Sequence, residues 1–207
     1  ENNFIYQEEN MKLTKLAKTL SLIALFASTS ALAGWQLDND ASQVHFISIK
    51  KSAIGEIHHF TSVSGMLSDS GEANLDIDLA SVETNIGIRN ERMQKMLFET
   101  NLFPKASIKG KFDANRIRKL RAGDHFTVQQ QASLELHGEK QMINTQIRVV
   151  KLTSQRVLVS TIKPIILNVG DYKLYQGVEK LKEVAGLPSI ASAVPITFSL
   201  VFKLEEH

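Results

Sequence analysis

Two arginines, Arg89 and Arg92, have the types and spacing that most clearly suggest chemistry. They lie in residues 85–108, a segment that is also rich in apolar side chains. The apolar residues near them are Met93, Met96, Leu97, Phe98 and Phe103. A guanidinium group offers a planar fork of N–H donors, which fits the oxygens of a phosphate or a carboxylate. The alternative is structural, with both arginines pairing with Glu91, Glu99 or a helix C-terminus.

Paired carboxylates are the next candidates for chemistry. Asp76 and Asp78 lie two positions apart in residues 73–79, which alternate strictly between apolar and polar side chains. In a strand the two aspartates share one face, and it is the face opposite the apolar one. We therefore predict two solvated carboxylates rather than an acid–base pair or a metal site.

The histidines do not form a recognisable ligand set. His58 and His59 are adjacent, so in a strand they point to opposite faces and cannot converge easily with His45. His125 and His137 fall near turns, and no spacing matches a zinc site. The chain also lacks Gly-x-Ser-x-Gly and His-Glu-x-x-His motifs. We predict no metal, no cofactor and no enzymatic activity.

The N-terminal region has the pattern of an export signal. Residues 11–33 combine three lysines, a short apolar run at 20–27 and a small-x-small site ending at Ala33. We expect cleavage after Ala33 and, for a Gram-negative source, a periplasmic protein. Residues 1–10 are expected to be an upstream extension outside the fold. Residues 34–207 are expected to form one domain.

Composition narrows the class of protein. The chain has no cysteine, which excludes disulfides, thiol catalysis and cysteine-bound metals in an exported protein. Its formal net charge is only +2, which argues against nucleic acid as a partner. The basic run at 116–121 is interpreted as a solvated hairpin loop.

Hydrophobic periodicity predicts an all-β domain. Helical spacing occurs only at 85–103 and 175–185, which predicts two short inserted helices. Segments with strand character are 42–50, 54–67, 73–79, 108–112, 126–136, 142–151, 156–163 and 194–204. The pattern contains no βαβ alternation, so we expect about eight antiparallel strands that hide their edges by closing into a barrel.

The alternating strands also predict which side chains face inward. A barrel of about eight strands has room for packed side chains or for one small ligand. The predicted lining consists of Val44, Phe46, Leu75, Ile77, Phe112, Phe126, Leu134, Ile196, Phe198 and Leu200. Alternation identifies the inside of the barrel but does not say whether it is hollow, so an ordinary filled core remains the alternative.

Several motifs resemble the YceI family of exported bacterial lipocalin-like proteins. The matching positions are Trp35-x-Leu37-Asp38, Ser42-x-Val44-x-Phe46, Phe60-x-x-Val63-Ser64-Gly65, residues 84–98 and Phe103-Pro104-Lys105-Ala106-Ser107-Ile108. Residues 188–200 are similar to a subgroup of the family. Many members carry Arg-Asp-x-His-Leu where this chain has Arg89-Asn90-Glu91-Arg92-Met93. The arginine carries over to Arg89, whereas the aspartate and histidine are replaced.

This resemblance implies an eight-stranded lipocalin-like barrel with a long apolar tunnel for isoprenoids or other long-chain amphiphiles. It carries over only Arg89 to the head-group site. Arg92 and Asn90 are added as candidate head-group residues because they lie beside Arg89, and no role of the family's aspartate or histidine transfers to them. The chain is therefore expected to be a periplasmic carrier of an isoprenoid quinone, a polyprenyl phosphate or a fatty-acid derivative, with transient membrane contact. The alternatives are a lipid-acting enzyme that uses the same cavity, or a packed barrel that serves as a stress-related interaction module.

Overall fold

Antiparallel strands make up most of residues 34–205, the part of the chain that this computed structural model describes. The strands are β1 (Gly34–Lys50), β2 (Ile54–Phe60), β3 (Val63–Ser68), β4 (Glu72–Asp78), β5 (Val82–Glu83), β6 (Lys105–Lys111), β7 (His125–Leu136), β8 (Glu139–Thr153), β9 (Arg156–Thr161), β10 (Ile165–Asn168) and β11 (Ala193–Leu204). The expected export signal and the upstream extension lie outside the described residues.

Eight of these strands close into an antiparallel barrel, in the order β1-β3-β4-β6-β7-β8-β9-β11. The ring closes where β1 pairs with β11, from Trp35 opposite Leu204 to Phe46 opposite Ile196. A register shift at 38–43 interrupts this ladder, and such bulges help a strand to bend. The predicted fold class is therefore confirmed. Pairing the first strand with the last removes the open edges of the ring.

The three remaining strands extend the barrel. Strands β2 and β3, predicted as a single strand, lie along different parts of β1 and are separated at residues 61–62. Strands β9 and β10 likewise pair with different parts of β11, and Pro164 lies between them in the chain. Proline cannot donate a ladder hydrogen bond, so it is confined to such breaks and to strand ends.

Both predicted helices are present. Helix α1 (Gly87–Arg92) continues into a π-helical turn at Met93–Phe98 that buries Met93, Leu97 and Phe98. Helix α3 (Tyr175–Val184) packs on that turn, and the Cα of its Gly177 lies close to the backbone of Leu97. Their apolar residues join one large core cluster with the inward side chains of the strands.

A third helix corrects the prediction of a loop at 116–121. Helix α2 (Ala114–Lys119) is capped by Asp113, whose carboxylate accepts a hydrogen bond from the Arg116 N–H at 2.9 Å. Ile117 is only 2% exposed and joins a second core cluster around Trp35. The basic side chains are exposed, as expected, but the segment is helical because a capping aspartate and one deeply buried isoleucine hold it against the barrel.

Candidate functional site

The barrel encloses an apolar cavity of about 480 Å³. This volume lies within the usual range for ligand pockets, roughly 300–1,000 Å³. The lining extends along β1 from Trp35, near α2, to Lys50, and α1 and α3 also contribute to it. The cavity therefore follows most of the length of the barrel.

Most of the predicted tunnel residues line this cavity. Those that do are Val44, Phe46, Leu75, Ile77, Phe112, Leu134, Ile196, Phe198 and Leu200. Strand alternation placed them on the inner face because successive side chains of a strand point to opposite sides of the sheet. Whether they contact a ligand remains a prediction.

Phe126 is the exception and is removed from the candidate lining. It packs in the second core cluster, and the Arg116 guanidinium lies 3.9 Å from the centre of its ring. Helix α2 fills this end of the barrel with Ile117. Alternation shows which way Phe126 points, but the length of the cavity depends on what packs into its end.

The cavity becomes polar along the β1–β2 hairpin. The register pairs Val44 with Phe60, Phe46 with His58, and Ser48 with Glu56, and all of these side chains line the cavity. Lys50 continues the inward series on β1. We call Ser48, Lys50, Glu56, His58, Arg89 and Arg92 the polar rim.

Glu56 links two of the rim cations. Its carboxylate accepts hydrogen bonds from Lys50 Nζ at 2.9 Å and from an Arg89 terminal nitrogen at 2.8 Å. The Lys50 hydrogen bond is the main reason that the pKa of Glu56 is lowered, and the Arg89 charge adds to the effect. Arg89 also donates to the backbone oxygen of Thr84 at 2.8 Å. Arg89 thus joins β2 to the turn that leads into α1.

His58 is the deepest ionisable residue of the polar rim, with 2% exposure. Its Nε2 lies 2.8 Å from the Ser48 hydroxyl oxygen, and its ring packs 5.2 Å from that of Phe46. Burial lowers the pKa of His58, and the Arg89 charge lowers it further. Both effects disfavour the imidazolium form, so His58 is neutral near pH 7.

Arg92 differs from Arg89 although both line the cavity. Arg92 is partly buried, and among residues 34–205 no carboxylate forms an ion pair with it. The two acidic partners considered from the sequence are engaged elsewhere. Glu91 pairs with Lys95 at 3.6 Å, and Glu99 pairs with His137 at 2.9 Å.

Asn90 lies outside the cavity lining and is removed from the candidate site. Its amide oxygen accepts hydrogen bonds from the Thr84 N–H at 2.9 Å and from the Thr84 hydroxyl at 2.6 Å. Thr84 is itself buried. These bonds stabilise the turn before α1, the helix that carries both arginines.

Sequence reasoning missed the β1–β2 half of the polar rim. A signal was present, because the inward series of β1 changes from Val44 and Phe46 to Ser48 and Lys50. Glu56 and His58 show the same change on β2. Because alternate side chains of a strand share one face, a switch from apolar to polar residues in that series marks where the polar part of the lining begins.

Two further classes of site are not found in the described part of the chain. Within residues 34–205, no group of three or more acidic or histidine side chains is arranged to hold a metal ion. No helix in the same range is long and apolar enough to cross a membrane. Asp76 and Asp78, the paired carboxylates of the sequence, are engaged in other contacts. Asp76 accepts hydrogen bonds from Lys105 Nζ and the Ser107 hydroxyl, and Asp78 accepts one from the Ala80 N–H.

The sequence pattern of a family described as YceI-like domain matches residues 35–202. No curated protein sequence matches the chain. A solved polyisoprenoid binding domain from Saccharophagus degradans, implicated in plant cell wall breakdown, shares 37% identity with a TM-score of 0.82. That alignment covers 84% of this chain and 99% of the other.

More distant structures share the fold. BcnA from Burkholderia cenocepacia is 16% identical with a TM-score of 0.62, over 80% of this chain and 98% of that one. A YCEI protein from Campylobacter jejuni is 14% identical with a TM-score of 0.51, over 72% of this chain and 85% of that one. At these identities the likeness concerns the barrel alone.

Proposed function

The chain belongs to the YceI-like domain family, and on this basis we propose that it binds a long-chain lipid inside the barrel. The observation that carries the proposal is the apolar cavity that runs from the α2 end to the polar rim. The tail would lie among the apolar strand residues and the head group at the rim. The 37% identical polyisoprenoid binding domain supports an isoprenoid tail.

Burial of the tail would supply most of the binding free energy. Each methylene moved from water into an apolar site contributes about 0.8 kcal/mol. Because the cavity is lined mostly by aliphatic and aromatic side chains, a long tail gains this term along its whole length. The open volume is the feature that favours this function over a barrel that is packed solid.

Binding is favoured over lipid chemistry in the same cavity. The one nucleophile–base contact on the described lining is Ser48 with His58. Nucleophilic catalysis also needs a group that orients the base. The Nδ1 atom of His58 has no hydrogen-bond partner, and Glu56 is engaged by Lys50 and Arg89.

We extend the proposal to the route by which the ligand arrives. Export through the signal at 11–33 would bring the protein to the periplasm, where lipids lie in membranes. Exposed isoleucines lie beside the polar rim, with Ile54 and Ile57 on β2 and Ile88 on α1. Apolar side chains next to cations are suited to brief contact with a membrane surface, so the protein would collect or deliver its ligand there.

A matched pair of variants tests the proposal. Gly110 lies on the inner face of β6, and a Cβ added there would meet its nearest neighbours at an ordinary 3.5 Å. Gly110→Leu should therefore fold and fill part of the cavity. Lys109→Leu adds the same side chain to the exposed outer face of β6.

The measurement is native mass spectrometry of mature protein purified from its own host. We expect a lipid adduct on the wild type and on Lys109→Leu, and a large loss of that adduct on Gly110→Leu. Organic extraction of the wild type should release the same lipid. A wild-type protein with an apo mass and no extractable lipid would refute the proposed function.

A further inference from the structure

The cavity lining carries more positive than negative side chains. Among the described residues the lining contains the cations Lys50, Arg89 and Arg92, and one anion, Glu56. Glu56 is shared by Lys50 and Arg89. This leaves a surplus of positive charge at the polar rim, and Arg92 is the cation without a carboxylate.

We propose that the ligand of this cavity carries an anionic head group, a carboxylate or a phosphate, and that Arg92 binds it. This inference rests on the proposed lipid-binding function and deepens it by naming the chemical class of the ligand. The guanidinium of Arg92 can donate two parallel hydrogen bonds to either head group, a geometry that a neutral hydroxyl cannot match.

The surroundings of Arg92 strengthen such a contact. Arg92 is partly buried and adjoins Met93, which is 5% exposed. Screening by water and salt is weaker there than at a fully exposed site. The two acidic residues on its own helical segment, Glu91 and Glu99, are paired with Lys95 and His137, so they do not compete for its guanidinium.

The neighbouring groups at the rim are consistent with a site for an anion. Burial is the main reason that the pKa of His58 is lowered; the Arg89 and Lys50 charges lower it further, and the Glu56 charge opposes them. His58 is neutral near pH 7, so the positive charge at the rim comes from Lys50, Arg89 and Arg92. Glu56 is neutralised by its two partners, so an incoming carboxylate or phosphate meets net attraction.

Ligands with identical tails test the proposal. One pair is geranylgeranyl monophosphate and geranylgeraniol, and the other is oleate and oleyl alcohol. Trp35 is the one tryptophan of the chain and lies on the lining at the α2 end, so its fluorescence reports a tail that enters the cavity. The pair with the larger preference for the anion identifies the head group as phosphate or carboxylate.

Three variants separate the local effect from net charge. Arg92→Gln removes the charge, and Arg92→Lys keeps the charge but loses the planar pair of N–H donors. Lys95→Gln removes one positive charge from the same helical segment at a side chain that is 72% exposed and lies outside the lining. All three are compared with the wild type at one ionic strength.

We expect the wild type to bind at least one anion about tenfold more tightly than its alcohol, the size of a charge-assisted hydrogen bond. Arg92→Gln should abolish this ratio without changing alcohol binding, Arg92→Lys should restore part of it, and Lys95→Gln should leave it intact. An unchanged ratio in Arg92→Gln, or no anion preference in the wild type, overturns the inference. If neither the anions nor the alcohols bind the wild type, the proposed lipid-binding function itself fails.

Discussion

At the scale of single residues, Arg89 and Arg92 have different roles although they lie on one helix. Arg89 is committed to Glu56 on β2 and to the backbone of Thr84, so it ties α1 to the barrel. Arg92 lines the same cavity but forms no ion pair with any described carboxylate. The free guanidinium is available to a ligand, whereas the paired one stabilises the rim that holds it.

This difference predicts that two alanine substitutions have unequal effects on stability. Arg89→Ala should lower the free energy of unfolding by about 1 kcal/mol, because it removes one partner from Glu56 and from the Thr84 oxygen at a partly exposed site. Arg92→Ala should leave the free energy of unfolding close to that of the wild type. Urea unfolding curves measure both, and an equal loss for the two variants would contradict the assignment of roles.

At the scale of elements, the contact between α3 and the π-helical turn holds one side of the cavity. Gly177 of α3 lies so close to this turn that an added Cβ would be 2.6 Å from the Met96 carbonyl oxygen and 2.8 Å from the Leu97 Cα. Those atoms are backbone and cannot move aside by changing rotamer. A glycine is therefore required where the two segments meet.

Gly177→Ala should separate the two segments and destabilise the protein by roughly 1–3 kcal/mol, the usual cost of overpacking. Gly87→Ala is the matched control, because an added Cβ at the start of α1 meets nothing within 4 Å. We expect the control to be neutral or slightly stabilising, since alanine favours a helix. Thermal unfolding of both variants provides the measurement, and a Gly177→Ala protein as stable as the control would show that the contact is not needed.

At the scale of the whole molecule, the buried neutral His58 links the stability of the barrel to pH. In the unfolded chain a histidine takes up a proton near its ordinary pKa of about 6.5. In the folded protein burial and the Arg89 charge lower the pKa of His58. As the pH falls below 6.5, the unfolded state binds more protons than the folded state, so the free energy of unfolding decreases.

The groups that face His58 allow its contribution to be isolated. The pKa of Glu56 is lowered, mainly by its hydrogen bond from Lys50, so its stabilising charge is lost only as the pH falls below the ordinary range of a glutamate. Between pH 7.5 and 5 we expect the melting temperature of the wild type to fall more than that of His58→Phe. His125→Gln replaces an exposed histidine and should behave as the wild type. Identical pH profiles for the wild type and His58→Phe would refute the link.

Much of the architecture could be read from the order of residues, because it depends on local rules. Alternation with a period of two placed nine inward residues correctly, and helical spacing located α1 and α3. The order of residues did not reveal α2. Its signal was the capping Asp113 followed by the buried Ile117, and six residues are too few for periodicity to stand out from a basic loop.

The sequence alone determined the fold class, the inner face of each strand and the presence of two arginines beside an apolar segment. Only the tertiary structure decided which arginine lacks a carboxylate partner among residues 34–205, because Arg89 pairs with Glu56 on β2, 33 positions earlier in the chain. It also decided where the cavity ends, because α2 packs Ile117 into one end of the barrel. Side-chain direction is a local property of the backbone, whereas ion pairing and open volume depend on which distant segments meet.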